Sequence, residues 1–304
     1  MKVLLSWLQE FASLEGTPEE LADQLSGLGL TVEEMSRIGS GLDGVVVAEV
    51  LELRAHPDAD RIQLVDVDNG DGESLQICCG AFNMKIGDLV PLAMLGTVMD
   101  NGMEIARRKM RGEWSNGMLC AASEIGLGAD SEGIMLLDSS FKVGTPIKEA
   151  LGVEEDVLFD LEVNPNRPDA MSIAGVARDL AALQGKKFSL PSPKEKEKGE
   201  SIDNRLKVEI LDTELCGRFV ARILDDITVG PSPLWVSNRL TALGMRPINN
   251  VVDASNYVML ELGQPSHTYD LDRVHGSGFR IRKAQEGEKV ITLDGVERPL
   301  AVSD

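Results

Sequence analysis

The sequence predicts an α+β protein of several domains, with a small closed β-barrel flanked by stretches of mixed helix and strand. Three observations predict this. A chain of 304 residues is longer than one ordinary core requires. Residues 40–150 carry short alternating apolar runs broken by turns, the pattern of a small antiparallel barrel. Helix signatures flank that stretch on both sides.

Composition narrows the function classes. Apolar residues make up 43% of the chain, as in folded proteins and unlike disordered ones. Apolar runs such as Val45–Ala48 fall far short of the roughly 18–20 residues that span a bilayer, so no membrane role is expected. Val3-Leu4-Leu5 is soon followed by Gln9 and Glu10, with no small-residue cleavage site, so no signal peptide is read and a cytoplasmic location is expected. Cys78, Cys79, Cys120 and Cys216 form no C-x-x-C pair; reduced thiols are expected, with neither a metal site nor a disulfide framework. Net charge is −20, so the overall field does not hold DNA or RNA. Contact with RNA requires a local basic patch or a larger assembly.

The elements follow in order. Leu4, Leu5, Leu8 and Phe11 have helical spacing. Thr17-Pro18 opens a second helix, with Glu20 completing a capping box, Leu21, Leu25 and Leu28 as its stripe, and Gly27 or Gly29 as its stop. Thr31–Ile38 reads as a strand. In the barrel region the strands are Val45–Leu53, Ile62–Asp68, Ser74–Cys79, Leu89–Leu95 and Met103–Met110, with turns at Asn69-Gly70 and Asn101-Gly102. Phe159–Val163 is a strand, and Asn164–Pro168 is a turn fixed by two prolines. Asp169 is expected to cap a helix carrying Ile173, Val176, Leu180 and Leu183, with Gly185 as its stop. Residues 191–200 read as a solvated linker. Beyond it, Leu206–Leu211, Arg218–Leu224, Phe279–Lys283 and Lys289–Leu293 read as strands. Helices start at Ser232-Pro233 and near Val251, ended by Gly244 and Gly263. The β pattern still runs at Asp304, and a truncation is expected there.

Two groups of residues carry chemistry. Leu243–Asp272 holds Arg246, Asn256 and His267, spread over two turns and one helix. Arg107-Arg108-Lys109 with Arg111 is the barrel's basic cluster, in a region with roughly twice as many acidic as basic residues. A solvated strand edge that blocks aggregation is the plain alternative for this cluster. Arg246 can equally be an ion-pair partner of Asp253, Asn256 a polar helix position, and His267 a backbone cap in a turn. His56 and His275 are read as structural.

The barrel's motifs resemble a known module. His56-Pro57-Asp58-Ala59-Asp60-Arg61-Ile62 is followed by Cys79–Asn83, Arg111–Cys120 and Ser123–Leu127. Together these resemble the tRNA-binding OB-fold found in tRNA synthetases and their accessory proteins, with Asp58 and Arg61 replacing the usual Asn and Lys. Val163–Asp169, Gly175–Asp179, Thr228–Trp235 and Val252–His267 resemble the β subunit of bacterial phenylalanyl-tRNA synthetase, in that family's domain order from Lys2 onward.

The resemblance implies a domain plan. Residues 1–39 and 151–190 form a split N-terminal α/β domain, 40–150 an inserted OB-fold barrel, 191–200 a linker, and 201–304 an incomplete α+β editing-type (B3/B4) domain. It implies partnership with an α subunit in an (αβ)₂ assembly that charges tRNA(Phe) using ATP and Mg²⁺, neither of which is expected on this stretch. A pocket for phenylalanine rejects tyrosine only about a hundredfold, so a second, hydrolytic site for Tyr-tRNA(Phe) is needed. The resemblance places Arg246, Asn256 and His267 in that editing pocket. Ser266 and Thr268-Tyr269 depart from the common Met and Ala-Phe, which can reshape its wall. The family's acidic residue for the tyrosine hydroxyl lies past residue 304, so these residues alone are expected to be inert. A non-editing tRNA-binding or structural module of the synthetase, and a free-standing tRNA-binding protein, are the competing readings.

Overall fold

The structure is a computed structural model, and it describes residues 1–127, 131–193, 197–292 and 294–304. Part of the expected linker, 194–196, and the last residue of the expected strand at Lys289–Leu293 lie outside the described residues. The described chain forms two compact units, Met1–Pro191 with Gly230–Ser266, and Ser192–Val229 with His267–Asp304.

The first unit opens with β1 (Lys2–Leu4), α1 (Leu5–Gln9), α2 (Pro18–Gly27) and β2 (Leu30–Ile38). The barrel region follows with β3 (Val45–Ala55), β4 (Gln63–Asp68), β5 (Ser74–Cys79), β6 (Leu89–Ala93), β7 (Arg108–Met110), β8 (Glu113–Ser115), β9 (Met118–Leu119) and α3 (Ile147–Leu151). The chain then returns through β10 (Asp156–Val163) and α4 (Ile173–Leu183).

β10 lies between β1 and β2 in a three-stranded antiparallel sheet. The expected N-terminal helix is therefore shorter than its spacing suggests. Val3 pairs with Phe159 in the sheet, so the Leu4–Phe11 periodicity spans a strand-to-helix junction. α2 has the expected cap: Thr17 Oγ1 accepts the Glu20 N–H at 3.2 Å, and Glu20 Oε2 accepts the Thr17 N–H at 2.8 Å. Gly29 takes the left-handed backbone after it, while Gly27 stays inside the helix.

Trp7, Leu8, Leu21, Leu25, Phe159, Ile173, Val176 and Leu180 make the core beneath this sheet. Ser172, not Asp169, caps α4, its Oγ accepting the Gly175 N–H at 3.0 Å. Pro168 opens a tight 3₁₀ turn, which moves the helix start past Asp169. The Asp169 carboxylate instead pairs with Arg167 and Arg178.

The barrel sheet runs β5-β4-β3-β6-β9. It is nearly closed: Asn116 N–H donates to Gln76 O at 3.0 Å, and Cys78 N–H donates to Ser115 Oγ at 3.0 Å. This is the OB-type barrel inserted in a mixed α/β scaffold. The expected strand Met103–Met110 survives only as β7. Ile105 exchanges hydrogen bonds with Gly96 and Thr97 and buries its side chain, so the segment before β7 closes a local turn.

α5 (Leu234–Ala242) and α6 (Asn250–Leu262) complete the first unit. α6 packs on α4, where a Cβ on Gly263 would lie 3.3 Å from Ser172 Cβ. The second unit pairs β11 (Lys207–Ile210) in parallel with β12 (Gly278–Ile281), and β13 (Lys289–Ile291) antiparallel with β14 (Glu297–Pro299). Arg218–Leu224 is not a strand: no strand among the described residues forms a ladder with it, and Val220 and Leu224 stay exposed. Alternation alone does not make a strand without a ladder partner.

Candidate functional site

The segment carrying Arg246 is clasped at both ends. Gly244, left-handed at φ +83°, ends α5, and Met245 N–H donates to Leu240 O at 2.8 Å. On the other side Asn249 caps α6, its Oδ1 accepting the Val251 and Val252 N–H groups at 3.1 and 3.0 Å. Asn250 and Gly230 exchange two hydrogen bonds, at 2.9 and 3.1 Å.

Asp253 is the centre of this clasp. It is 0% exposed. Its carboxylate accepts the Ile248 N–H at 2.9 Å and the Ser232 hydroxyl at 2.5 Å. A buried carboxylate requires such partners. Arg246 is not among them: it is exposed and makes no ion pair among the described residues. The ion-pair alternative for Arg246 is thereby removed, leaving a free guanidinium on a fixed loop. The sequence signal for Asp253 was an acid set among apolar residues in a first helical turn, four positions after an Asn cap.

Asn256 is half-buried on α6. One residue earlier, Ser255 Oγ donates to Ser266 O at 2.9 Å, which ties the Gln264–Ser266 turn back to the helix. Arg246 and Asn256 thus share the first unit. His267 is the first residue of the second unit's returning segment. It is exposed, with its ring 6.2 Å from that of Tyr269, which packs at 5.1 Å on Phe279.

The basic cluster sits on the β7–β8 hairpin. Lys109 faces Trp114 across the strands, and Arg107 and Lys109 both lie over the indole, at 4.6 and 5.7 Å from its centroid. Arg108 is on the other face and lines a cavity of about 80 Å³ with Cys78, Ile105 and Met118. Arg111 occupies the turn at φ 46° and donates to Asp58 O at 3.3 Å. His56 is a strut: its Nδ1 accepts the Asp58 N–H at 3.1 Å and its Nε2 lies 3.0 Å from Met110 O.

Other features offer less chemistry. A groove of about 490 Å³ between residues 69–71 and 142–145 contains none of the sequence-predicted site residues. Burial pushes the Cys120 thiol up to about 12, which makes it unreactive. Among the described residues no three His, Cys, Asp or Glu side chains gather as a metal site, and no helix is long and apolar enough to cross a membrane.

Comparison with known proteins gives the family. Residues 45–146 match the tRNA binding domain family, and residues 215–304 match the B3/4 domain family. The whole chain is 46% identical to the phenylalanine–tRNA ligase β subunit of Anaeromyxobacter dehalogenans, over 100% of this chain and 38% of that protein. The Geobacter sulfurreducens β subunit is also 46% identical, and that of Nitratidesulfovibrio vulgaris 43%, with the same coverage. The chain belongs to the phenylalanine–tRNA ligase β-subunit family. It spans 38% of the length of these relatives. The barrel is thus the tRNA-binding-family domain of a β subunit. Arg246, Asn256 and His267 all fall within its B3/4 match.

Proposed function

We propose that this chain is the N-terminal portion of a phenylalanine–tRNA ligase β subunit that supports charging of tRNA(Phe) and carries one wall of a hydrolytic site for Tyr-tRNA(Phe). The observation that carries the reading is the clasped loop inside the B3/4 match: a buried Asp253 fixes its backbone at Ile248, and Arg246 on the same loop is exposed and makes no ion pair among the described residues. An unpaired guanidinium on a rigid support suits a phosphate or the terminal adenosine of tRNA. Asn256 fixes a polar edge of the substrate. His267 orients the attacking water or the terminal ribose, since an imidazole can donate and accept.

On this reading the assembly is an (αβ)₂ heterotetramer in the cytoplasm. The α subunit holds the ATP- and Mg²⁺-dependent active site, and these 304 residues alone are inert. Residues 201–304 are an incomplete B3/B4 domain, and the barrel contacts tRNA through Arg107, Arg108, Lys109 and Arg111. Hydrolysis of Tyr-tRNA(Phe) by the intact ligase tests the reading. Normal charging with no such hydrolysis would make the chain a structural and tRNA-positioning module instead.

A further inference from the structure

The β7–β8 hairpin concentrates positive charge that the chain leaves unmatched. Several arginines elsewhere have carboxylates at close range: Arg54 with Asp66, Arg205 with Asp225 and Arg282 with Glu288, at 2.6–2.7 Å. Arg107, Arg108, Lys109 and Arg111 are all exposed, and among the described residues none makes an ion pair. In a chain of net charge −20, acidic partners are not scarce. Neighbouring cations left unneutralised point to an anionic ligand.

The hairpin also offers a stacking surface. Trp114 is 41% exposed, with Arg107 and Lys109 over its ring. A guanidinium on an indole presents both a charge for phosphate and a π surface for a base. The platform is braced from below: Gln76 Nε2 donates to Trp114 O at 3.0 Å, Ser115 Oγ accepts from Cys78, and His56 holds Met110. An acidic protein would use the cations and leave Trp114 idle.

We propose that the outer face of this hairpin seats a short single-stranded RNA segment, with phosphates on Arg107, Lys109 and Arg111 and one base against the Arg107–Trp114 pair. Arg108, on the opposite face, lies outside this seat and is left for another part of the tRNA. The proposal rests on the reading of the barrel as the tRNA-contacting domain, and it assigns the form of RNA and the residue that stacks.

The test is fluorescence anisotropy of the chain with a short labelled oligouridylate across a salt series. Three phosphate contacts predict a log–log salt slope of about −2 for single strands. R107E/K109E is expected to weaken binding at least about tenfold and to bring the slope to about −0.7. W114A is expected to weaken binding roughly tenfold with an unchanged slope, and W114F to recover most of it. Circular dichroism verifies that each variant is folded. Unchanged affinity in R107E/K109E, a W114A protein equal to its parent, or equal affinity for polyglutamate would each overturn the proposal. If the intact ligase hydrolyses Tyr-tRNA(Phe) while the chain ignores oligouridylate, the hairpin assignment fails and the editing reading stands.

Discussion

The guanidinium of Arg239 donates a hydrogen bond to the Tyr257 hydroxyl at 2.6 Å while lying 4.9 Å from the centroid of the Trp7 ring. Tyr257 stacks on Trp7 at 4.4 Å, and Glu10 accepts a second bond from Arg239. Three helices meet in this cluster: α1 through Trp7, α5 through Arg239 and α6 through Tyr257. It fastens the segment bearing Arg246 and Asn256 to the N-terminal core.

Removing that guanidinium should loosen the first unit. Arg239→Ala loses a charge-assisted hydrogen bond and a cation–π contact and is expected to cost about 2–3 kcal/mol. Arg239→Lys should recover less than half, since an ammonium does not reproduce the planar fork. Urea midpoints measure both. An Arg239→Ala protein as stable as its parent would show that the cluster is decorative.

The same cluster predicts an alkaline limit. Burial pushes the Tyr257 hydroxyl up to about 12, with the Arg239 charge pulling against it. The folded value lies above the unfolded value of about 10. The stability this contributes is therefore complete below pH ~10 and lost as pH rises through about 12. Tyrosinate absorbance in a Tyr269→Phe background, where Tyr257 is the remaining tyrosine, reads the titration directly. A transition near pH 10 would contradict the burial account.

Gly175 has no room for a side chain. A Cβ there would sit 1.9 Å from Asp169 O, a backbone atom that cannot swing aside. Gly175→Ala should destabilise the protein by about 2–4 kcal/mol, despite the better helix propensity of alanine. Thermal melts of the variant against its parent check this, and a raised midpoint would refute it.

Asp253 should matter to both stability and hydrolysis. Asp253→Ala takes the acceptor from two part-buried donors, the Ile248 N–H and the Ser232 hydroxyl, and empties a fully buried position, at a cost of about 1–3 kcal/mol. Asp253→Asn keeps an acceptor and should cost less. In the intact ligase both should slow Tyr-tRNA(Phe) hydrolysis more than phenylalanine charging, because the loop they loosen carries Arg246. Equal effects on the two reactions would mark Asp253 as a general fold residue.

Much of this was legible in the sequence, for physical reasons. The capping box at Thr17–Glu20, the first four barrel strands and the α6 boundaries follow from local rules, and the structure has them where expected. What misled was local pattern overruled by distant pairing. Leu4 looks helical until Leu158, far along the chain, claims it for a sheet. Arg218–Leu224 alternates like a strand but has no described ladder partner. Asp169 has the chemistry of a cap, but the turn at Pro168 hands that role to Ser172. The site was legible only as three residue types on one stretch. That Asp253 fixes the loop at Ile248, two residues past Arg246, instead of pairing with Arg246, depends on burial, which no single sequence position encodes.

The central claim is tested most directly by hydrolysis of Tyr-tRNA(Phe) by the intact ligase with His267→Ala in its β subunit, measured beside phenylalanine charging. Deacylation is expected to slow by about a hundredfold, the usual worth of a positioned acid–base group, with charging unchanged. Deacylation at the parent rate would contradict that claim.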